Sequence, residues 1–456
     1  MLFGEEHVSG PETAAPEVGS DWSDRSLHFV GIGGAGMSGL ALIAAALGAR
    51  VTGSDRAESS YTERLREHGI EPILGHAGAN VPPGAEVVYS TAVGPENPER
   101  QAAGRELHRA DLLAQIAALR RCLAVTGTHG KTTTAAMAVH ALTAAGLDPS
   151  YVVGGELGGT GANAGWGTGA WIVIEADESD RSLLKLSPDV AVLTNAELDH
   201  HCTYSSRLEL EQTFREFMGR AEVGSVVWDR PALRALCPAG AIPYDAPDVE
   251  LGAGGSRFAW RGLEVRLSVP GAHNAINAAG ALTACALAGA DPERAAAAMA
   301  DFRGARRRLQ RIGVTVGGAV VYDDYAHHPT EVAAAIAAAR TLGDARLVAV
   351  FQPHLYSRTR ALARSFGAAL AAADLVVVLP VYPARERAAD FPGVDGHLIA
   401  AAAADAPQRR PVAWMPGFDP AARYLGARLR AGDVCLMMGA GNIDSLARSV
   451  VGQTGG

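Results

Sequence analysis

Residues 122–134, CLAVTGTHGKTTT, decide how the chain reads. An apolar run ends in a Thr-Gly-Thr-His-Gly turn, and Lys131-Thr-Thr-Thr opens a helix-forming stretch. A strand, a glycine-rich turn and a helix N-terminus in that order aim backbone N–H groups at a phosphate. The usual loop has its first glycine where Val125 stands, so this is a variant of the pattern. Gly127, Thr128, Gly130 and Thr133 form the cradle, Lys131 reaches the terminal phosphates, and Thr132 is a Mg²⁺ ligand candidate. Only two of the 40 basic side chains are lysines, Lys131 and Lys185. Arginine has replaced lysine nearly everywhere else, which marks Lys131 as chemically required.

Upstream, LHFVGI runs into Gly31-x-Gly33-x-x-Gly36, and the next strand, RVTGSD, ends at Asp55. Strand, glycine turn, helix and a later acid are the context of a diphosphate-binding βαβ unit. Downstream, WIVIEAD (171–177) and DVAVLTNAE (189–197) continue the alternation. An acid at a strand end beside a phosphate loop is where Mg²⁺ is held, so Glu175 is assigned to the metal. Asp177 and Glu178 stay open, since helix capping explains Asp177 equally well. Asp199-His200-His201-Cys202 cannot all face one tetrahedral ion, and no second His/Cys pair stands at ligand spacing, so zinc is set aside. His200 alone is read as a metal or phosphate neighbour.

Residues 250–270 switch to short alternating strands, a small antiparallel patch before the Ala-rich helix 273–288. A third α/β segment begins near 312 with VVYDDYA, RLVAVFQ, DLVVVLP and DVCLMMGAG. The expected architecture is α/β with three domains. They are an N-terminal Rossmann-like unit, a central phosphate-loop parallel sheet and a C-terminal Rossmann-like unit. The limits are set at 1–22 for a disordered tail, then 23–117, 118–311 and 312–456.

The acidic balance, 49 acids against 40 bases, argues against a nucleic-acid coat or a polybasic membrane foot. Five scattered cysteines without a CxxC read as cytosolic thiols. The polar, acidic N-terminus lacks the features of a signal peptide, and the Ala-rich runs are broken before membrane-span length.

GIGGAGMSG, GTHGKTTT, EADESD, HNxxN, RRRLQ, DDYAHHPTE, FQPHLYSRTR and GAGNI occur in this order over 27–447. Together they resemble the Mur ligases, above all those that join L-alanine to UDP-N-acetylmuramate. The resemblance implies ATP and Mg²⁺, a cytoplasmic enzyme, no nucleic acid, no membrane insertion, and allows a homodimer. It implies UDP-sugar contacts at Gly31, Gly33, Gly34, Gly36, Asp55 and Ser90. Catalytic and metal roles fall on Lys131, His129, Glu175 and His200, with Thr132 among the metal ligands. His273, Asn277, Arg307 and Asp324 would reach ATP; Tyr325, His327, His354 and Arg358 would face the amino acid. Leu355, Leu309 and Asn442 stand where members commonly carry Arg, Phe and Asp. Later-step members hold a second Mg²⁺ with a carbamylated lysine beyond the His200 position; this chain has no lysine after 185. An NAD-dependent oxidoreductase would explain the first glycines but leave Lys131, Glu175 and the C-terminal His/Arg sets idle. A non-catalytic nucleotide sensor would leave Lys131 and Glu175 idle too. A murein peptide ligase, joining a tripeptide to the same sugar nucleotide, would use the same motifs.

Overall fold

The structure, a computed structural model, describes residues 22–199 and 203–452. Runs of apolar, often β-branched residues bounded by glycine turns make fully buried strands, as parallel sheets covered on both faces require. Three such sheets follow one another along the chain. The first is five-stranded and parallel, ordered Ile73–Leu74, Arg50–Asp55, Ser26–Val30, Glu86–Tyr89, Arg105–His108. The second has seven strands, ordered Ile242–Tyr244, Gly224–Trp228, Val190–Leu193, Arg121–Thr126, Trp171–Glu175, Ser150–Val152, Ala164–Gly165. Its last pair is antiparallel. The third has six strands with Val434–Met438 between Val320–Asp324 and Leu347–Phe351, and an antiparallel edge at Gln310–Val314. The expected antiparallel patch is a three-stranded leaf, Glu250–Gly252, Gly255–Trp260 and Leu263–Leu267.

Arg121–Thr126 lies mid-sheet, with Val125 opposite Glu175 on one side and Thr126 opposite Leu193 on the other. The phosphate loop therefore leaves the sheet flanked by Glu175 and by the Thr194–Asp199 segment. Its helix, Lys131–Ala144, packs against Ala272–Leu287 through alanines such as Ala135, Ala138, Ala275 and Ala278, all buried. Small side chains let the two helices approach closely.

Several expected limits shift. Trp22 is buried against the first domain and does not belong to a tail; residues 1–21 lie outside the described residues. The 311/312 break falls inside a strand, because Gln310 and Arg311 already pair with Asp323 and Tyr322. The strand expected over 85–93 ends at Tyr89, where the chain turns and Val93 N–H donates to the Ser90 carbonyl. Across the second joint, two successive arginines are clipped to opposite sides. Arg306 bonds Glu156 of the middle domain at 2.8 Å, while Arg307 bonds Asp323 at 2.9 Å and the Gly439 and Gly441 carbonyls. Among the described residues no helix is long and apolar enough to cross a membrane.

One buried acid ties the first sheet's carboxyl end together. Glu99 accepts from Ser54 Oγ (2.5 Å), Asn80 Nδ2 (2.6 Å) and the Ala77 N–H (3.2 Å). Burial pushes its carboxyl up, but these donors outweigh it and hold the group below the usual range. Glu99→Ala strands those donors and is expected to cost about 2–3 kcal/mol. The shift of the first urea-unfolding transition measures it.

Candidate active site

A cavity of about 600 Å³ opens where the three domains meet. Ala35, Gly36 and Tyr61 wall it from the first domain, Thr128, Gly130, Lys131, Thr132 and Glu175 from the second, and Arg307, Tyr325 and His327 from the third.

The middle wall is the phosphate loop. Gly130 sits at φ +78°, and a Cβ there would meet Asn277 Oδ1 at 2.7 Å, so only glycine fits. Lys131 folds back into the loop, its Nζ donating to the carbonyls of Gly127 (2.7 Å) and Thr128 (3.1 Å) and pairing with Glu178 at 2.8 Å. Burial works to lower its ammonium, but Glu178, Asp177 and Glu175 outweigh it and hold it above its ordinary value. Thr132 Oγ1 donates to Glu175 Oε1 at 2.9 Å, and Glu175 Oε2 accepts from Gly154 N–H at 2.5 Å. Burial raises the Glu175 carboxyl against the pull of Lys131. A hydroxyl and a carboxylate so paired on a cavity wall are the hard oxygen set that Mg²⁺ takes, so the residues fit that ion. Thr133 is buried at the start of the same helix. His200, His201 and Cys202 lie outside the described residues.

The first domain's wall is narrower than its glycine pattern. Gly31 N–H donates to the Ser54 carbonyl, Gly33 N–H to Asp55 Oδ2 at 2.8 Å, and Gly34 N–H to the Gly31 carbonyl. Asp55 thus helps close the turn, and Ala35 and Gly36, which open the helix Ala35–Ala46, are the residues of this motif at the cavity. Ser90 is half-buried just beyond its strand.

Of the residues expected to reach ATP, His273 and Asn277 of the middle domain and Asp324 of the third stand outside the cavity lining, as do His354 and Arg358 of those expected at the amino acid. Asp324 accepts from the Leu309 and Ala326 amides, and burial pushes it up to about 6. His273 is pushed down to about 4 by burial and then by Arg308. Arg358 is buried and bidentate to Asp199 of the middle domain at 3.0 and 2.9 Å. His354 takes a hydrogen bond from Arg358 at 3.1 Å and is pushed down to about 3 by burial and by His327 and Arg358. His327 bonds the Tyr325 carbonyl at 2.9 Å through Nδ1, and burial pushes it down to about 4.

His129 lies in the seam between second and third domains, its Nε2 3.3 Å from Glu197 and its Nδ1 3.4 Å from Glu331. Burial works against its charge, but those carboxylates push it up to about 9. Sequence reasoning assigned no role to Glu197, Glu331 or Asp199. Glu331 stood inside DDYAHHPTE, the one signal that could have found it.

The Mur ligase family models match residues 26–121 (catalytic domain), 125–235 (middle domain) and 307–441 (glutamate ligase domain). The chain belongs to the Mur ligase family. The UDP-N-acetylmuramate–L-alanine ligase of Acidithiobacillus ferrooxidans is 42% identical over 453 residues, covering 93% of this chain and 96% of that protein. The crystal structure of UDP-N-acetylmuramate–alanine ligase MurC from Thermotoga maritima superposes with a TM-score of 0.80 at 28% identity, covering 93% of this chain and 98% of that one. A murein peptide ligase from Psychrobacter arcticus shares the fold at TM-score 0.70 and 23% identity, covering 95% and 100% of the two chains.

In this Mur ligase Glu178 is fully buried beneath the half-buried Lys131, so removing the lysine leaves a buried carboxylate uncompensated. Lys131→Met is expected to cost about 3 kcal/mol, and adding Glu178→Leu to return at least half of it. A double-mutant cycle by thermal unfolding reads both, with phosphate release absent in each variant.

Lys185 by contrast sits half-exposed and pairs with Asp111 at 2.6 Å. Such pairs contribute little. Lys185→Arg is therefore expected to turn over at close to the wild-type rate with no response to bicarbonate. A carbamate found on Lys185 would overturn this.

Proposed function

We infer that this chain joins L-alanine to the lactyl carboxylate of UDP-N-acetylmuramate at the expense of ATP, a step in peptidoglycan synthesis. What carries the reading is the single cavity walled by all three domains, with Lys131 and Thr132 at its centre. Nucleotide sugar, ATP and amino acid can each enter from one wall and meet at one point.

In the reaction a carboxylate oxygen of the sugar attacks the γ-phosphorus, and the bond to ADP breaks, giving an acyl phosphate. The amine nitrogen of alanine then attacks the acyl carbon; phosphate leaves, and the amine gives up its proton. Lys131 turns from the Gly127 and Thr128 carbonyls to the phosphates, where its ammonium offsets developing charge. Its neighbouring carboxylates keep it protonated for that task. Thr132 and Glu175 would hold Mg²⁺, with His200 as a further ligand. When bound, that ion supplies charge compensation at the phosphates. The Ala35–Gly36 end of the first helix offers unpaired amides to the sugar's diphosphate. Tyr325, His327 and Arg308 close the opposite wall. His327 keeps a neutral ring, with Nδ1 held by the Tyr325 carbonyl. Asn277 packs against Gly130 and sets the loop's position. The four described cysteines are all free thiols, which suits the cytoplasm, where ATP and the sugar nucleotide are made.

Phosphate release with UDP-N-acetylmuramate, ATP and a series of amines tests the assignment. L-alanine as the required amine supports it; release with a tripeptide alone would make this chain a murein peptide ligase.

Arg358 is the planar cation suited to the carboxylate of alanine. Its fork is filled by Asp199, so alanine would take it by exchange. Arg358→Lys keeps charge but loses the bidentate geometry and is expected to raise the KM for alanine about 10-fold or more, leaving that for ATP within about twofold. Equal rises in both would make Arg358 a clamp between domains only.

A further inference from the structure

The seam between the second and third domains holds a cluster that the reaction above does not use. His129 Nε2, Glu197 Oε2 and a ring nitrogen of His328 all lie within 4.8 Å of one another. Their geometry suits a tetrahedral ion. Zinc–nitrogen bonds of about 2.0–2.1 Å set ligand atoms about 3.3 Å apart. His129 Nε2 is 3.3 Å, and His328 Nδ1 3.6 Å, from the same Glu197 oxygen.

The surroundings favour an ion as well. His129 is buried, and its Nε2 faces Glu197 Oε2 at 3.3 Å without closing a hydrogen bond. Its other nitrogen, Nδ1, faces Glu331 Oε1 at 3.4 Å. A carboxylate on the far nitrogen of a histidine fixes the ring's tautomer and turns the near nitrogen into a ligand. Glu197 is oriented in turn, since Thr330 Oγ1 donates to its Oε2 at 2.5 Å. His328 caps its helix, its Nδ1 accepting from the Thr330 N–H at 3.4 Å within a capping box that Glu331 completes from its own side chain; a metal bond at Nδ1 would replace the ring's part while Glu331 keeps its bond to the His328 N–H.

We propose that His129, Glu197 and His328 form a second metal site, distinct from the Thr132/Glu175 oxygen set, which takes Zn²⁺ or a similar divalent transition ion with water as fourth ligand. Two imidazoles and one carboxylate select such ions over Mg²⁺. His129 and Glu197 belong to the middle domain and His328 to the C-terminal one, so the bound ion cross-links the two in the closed arrangement.

The test uses the full-length, metal-stripped protein with excess Mg²⁺ to occupy the oxygen ligands. Co²⁺ serves as the spectroscopic probe and Zn²⁺ as competitor. Wild type is expected to bind one Co²⁺ with intense tetrahedral visible bands that Zn²⁺ abolishes. His328→Asn, which keeps a helix-capping side chain, and Glu197→Gln should each weaken binding about 10-fold or more. Zn²⁺ should raise the melting temperature of wild type and of neither variant. Glu331→Gln, which spares all three ligands, should weaken binding less and serves if the others misfold. Absence of the tetrahedral bands in wild type, or unchanged affinity in the variants, would overturn the proposal.

Discussion

A buried ammonium at the carboxyl edge of the middle sheet is the constraint on which the site's arrangement depends. Lys131 reaches the cavity wall but is largely withdrawn from water, and a charge so withdrawn is disfavoured without a partner. Glu178 answers it, with Asp177 and Glu175 close behind. Those acids can be present only because the strand Trp171–Glu175 runs beside Arg121–Thr126 in matching register. The strand order thus follows the needs of one cation, and the cavity forms at the sheet edge where that cation stands.

The joint between the second and third domains is built from charge as much as from apolar contact. Arg358 bonds Asp199, His129 faces Glu331, and Thr330 donates to Glu197. Partners of opposite sign can separate into water and re-form, whereas an extensive apolar interface resists reopening. That suits a joint that opens and closes in each turnover. The buried Arg358 pair is the firmest of these links, and a carboxylate substrate carries the group that can compete for it.

Much of this was readable from the chain. Apolar runs ending at Gly31, Gly127 and Gly439 gave the parallel strands, and the change to alternation after 250 gave the antiparallel leaf. The acid that pairs with Lys131 was not readable. The turn after Glu175, closed by the Ser179 N–H on Asp177, swings Glu178 rather than Asp177 onto the ammonium. Asp55, expected at the sugar nucleotide, also accepts from the Gly33 N–H and so helps close the glycine turn, a part its place at a strand end did not reveal. Contacts such as Arg358 with Asp199, 159 residues apart, depend on how whole domains sit together, which no local pattern encodes.

The opposed clips at Arg306 and Arg307 set the pivot between two neighbouring residues, and it turns once the Arg358–Asp199 and His129–Glu331 contacts part. Such an axle makes the C-terminal domain a lever, whose travel grows with distance from the pivot. Tyr325, which lies under both Arg307 and Arg308, stands beside that axle. Parts of the domain farther from the axle sweep longer arcs. A small turn at the axle thus becomes a wide opening at the domain's far side.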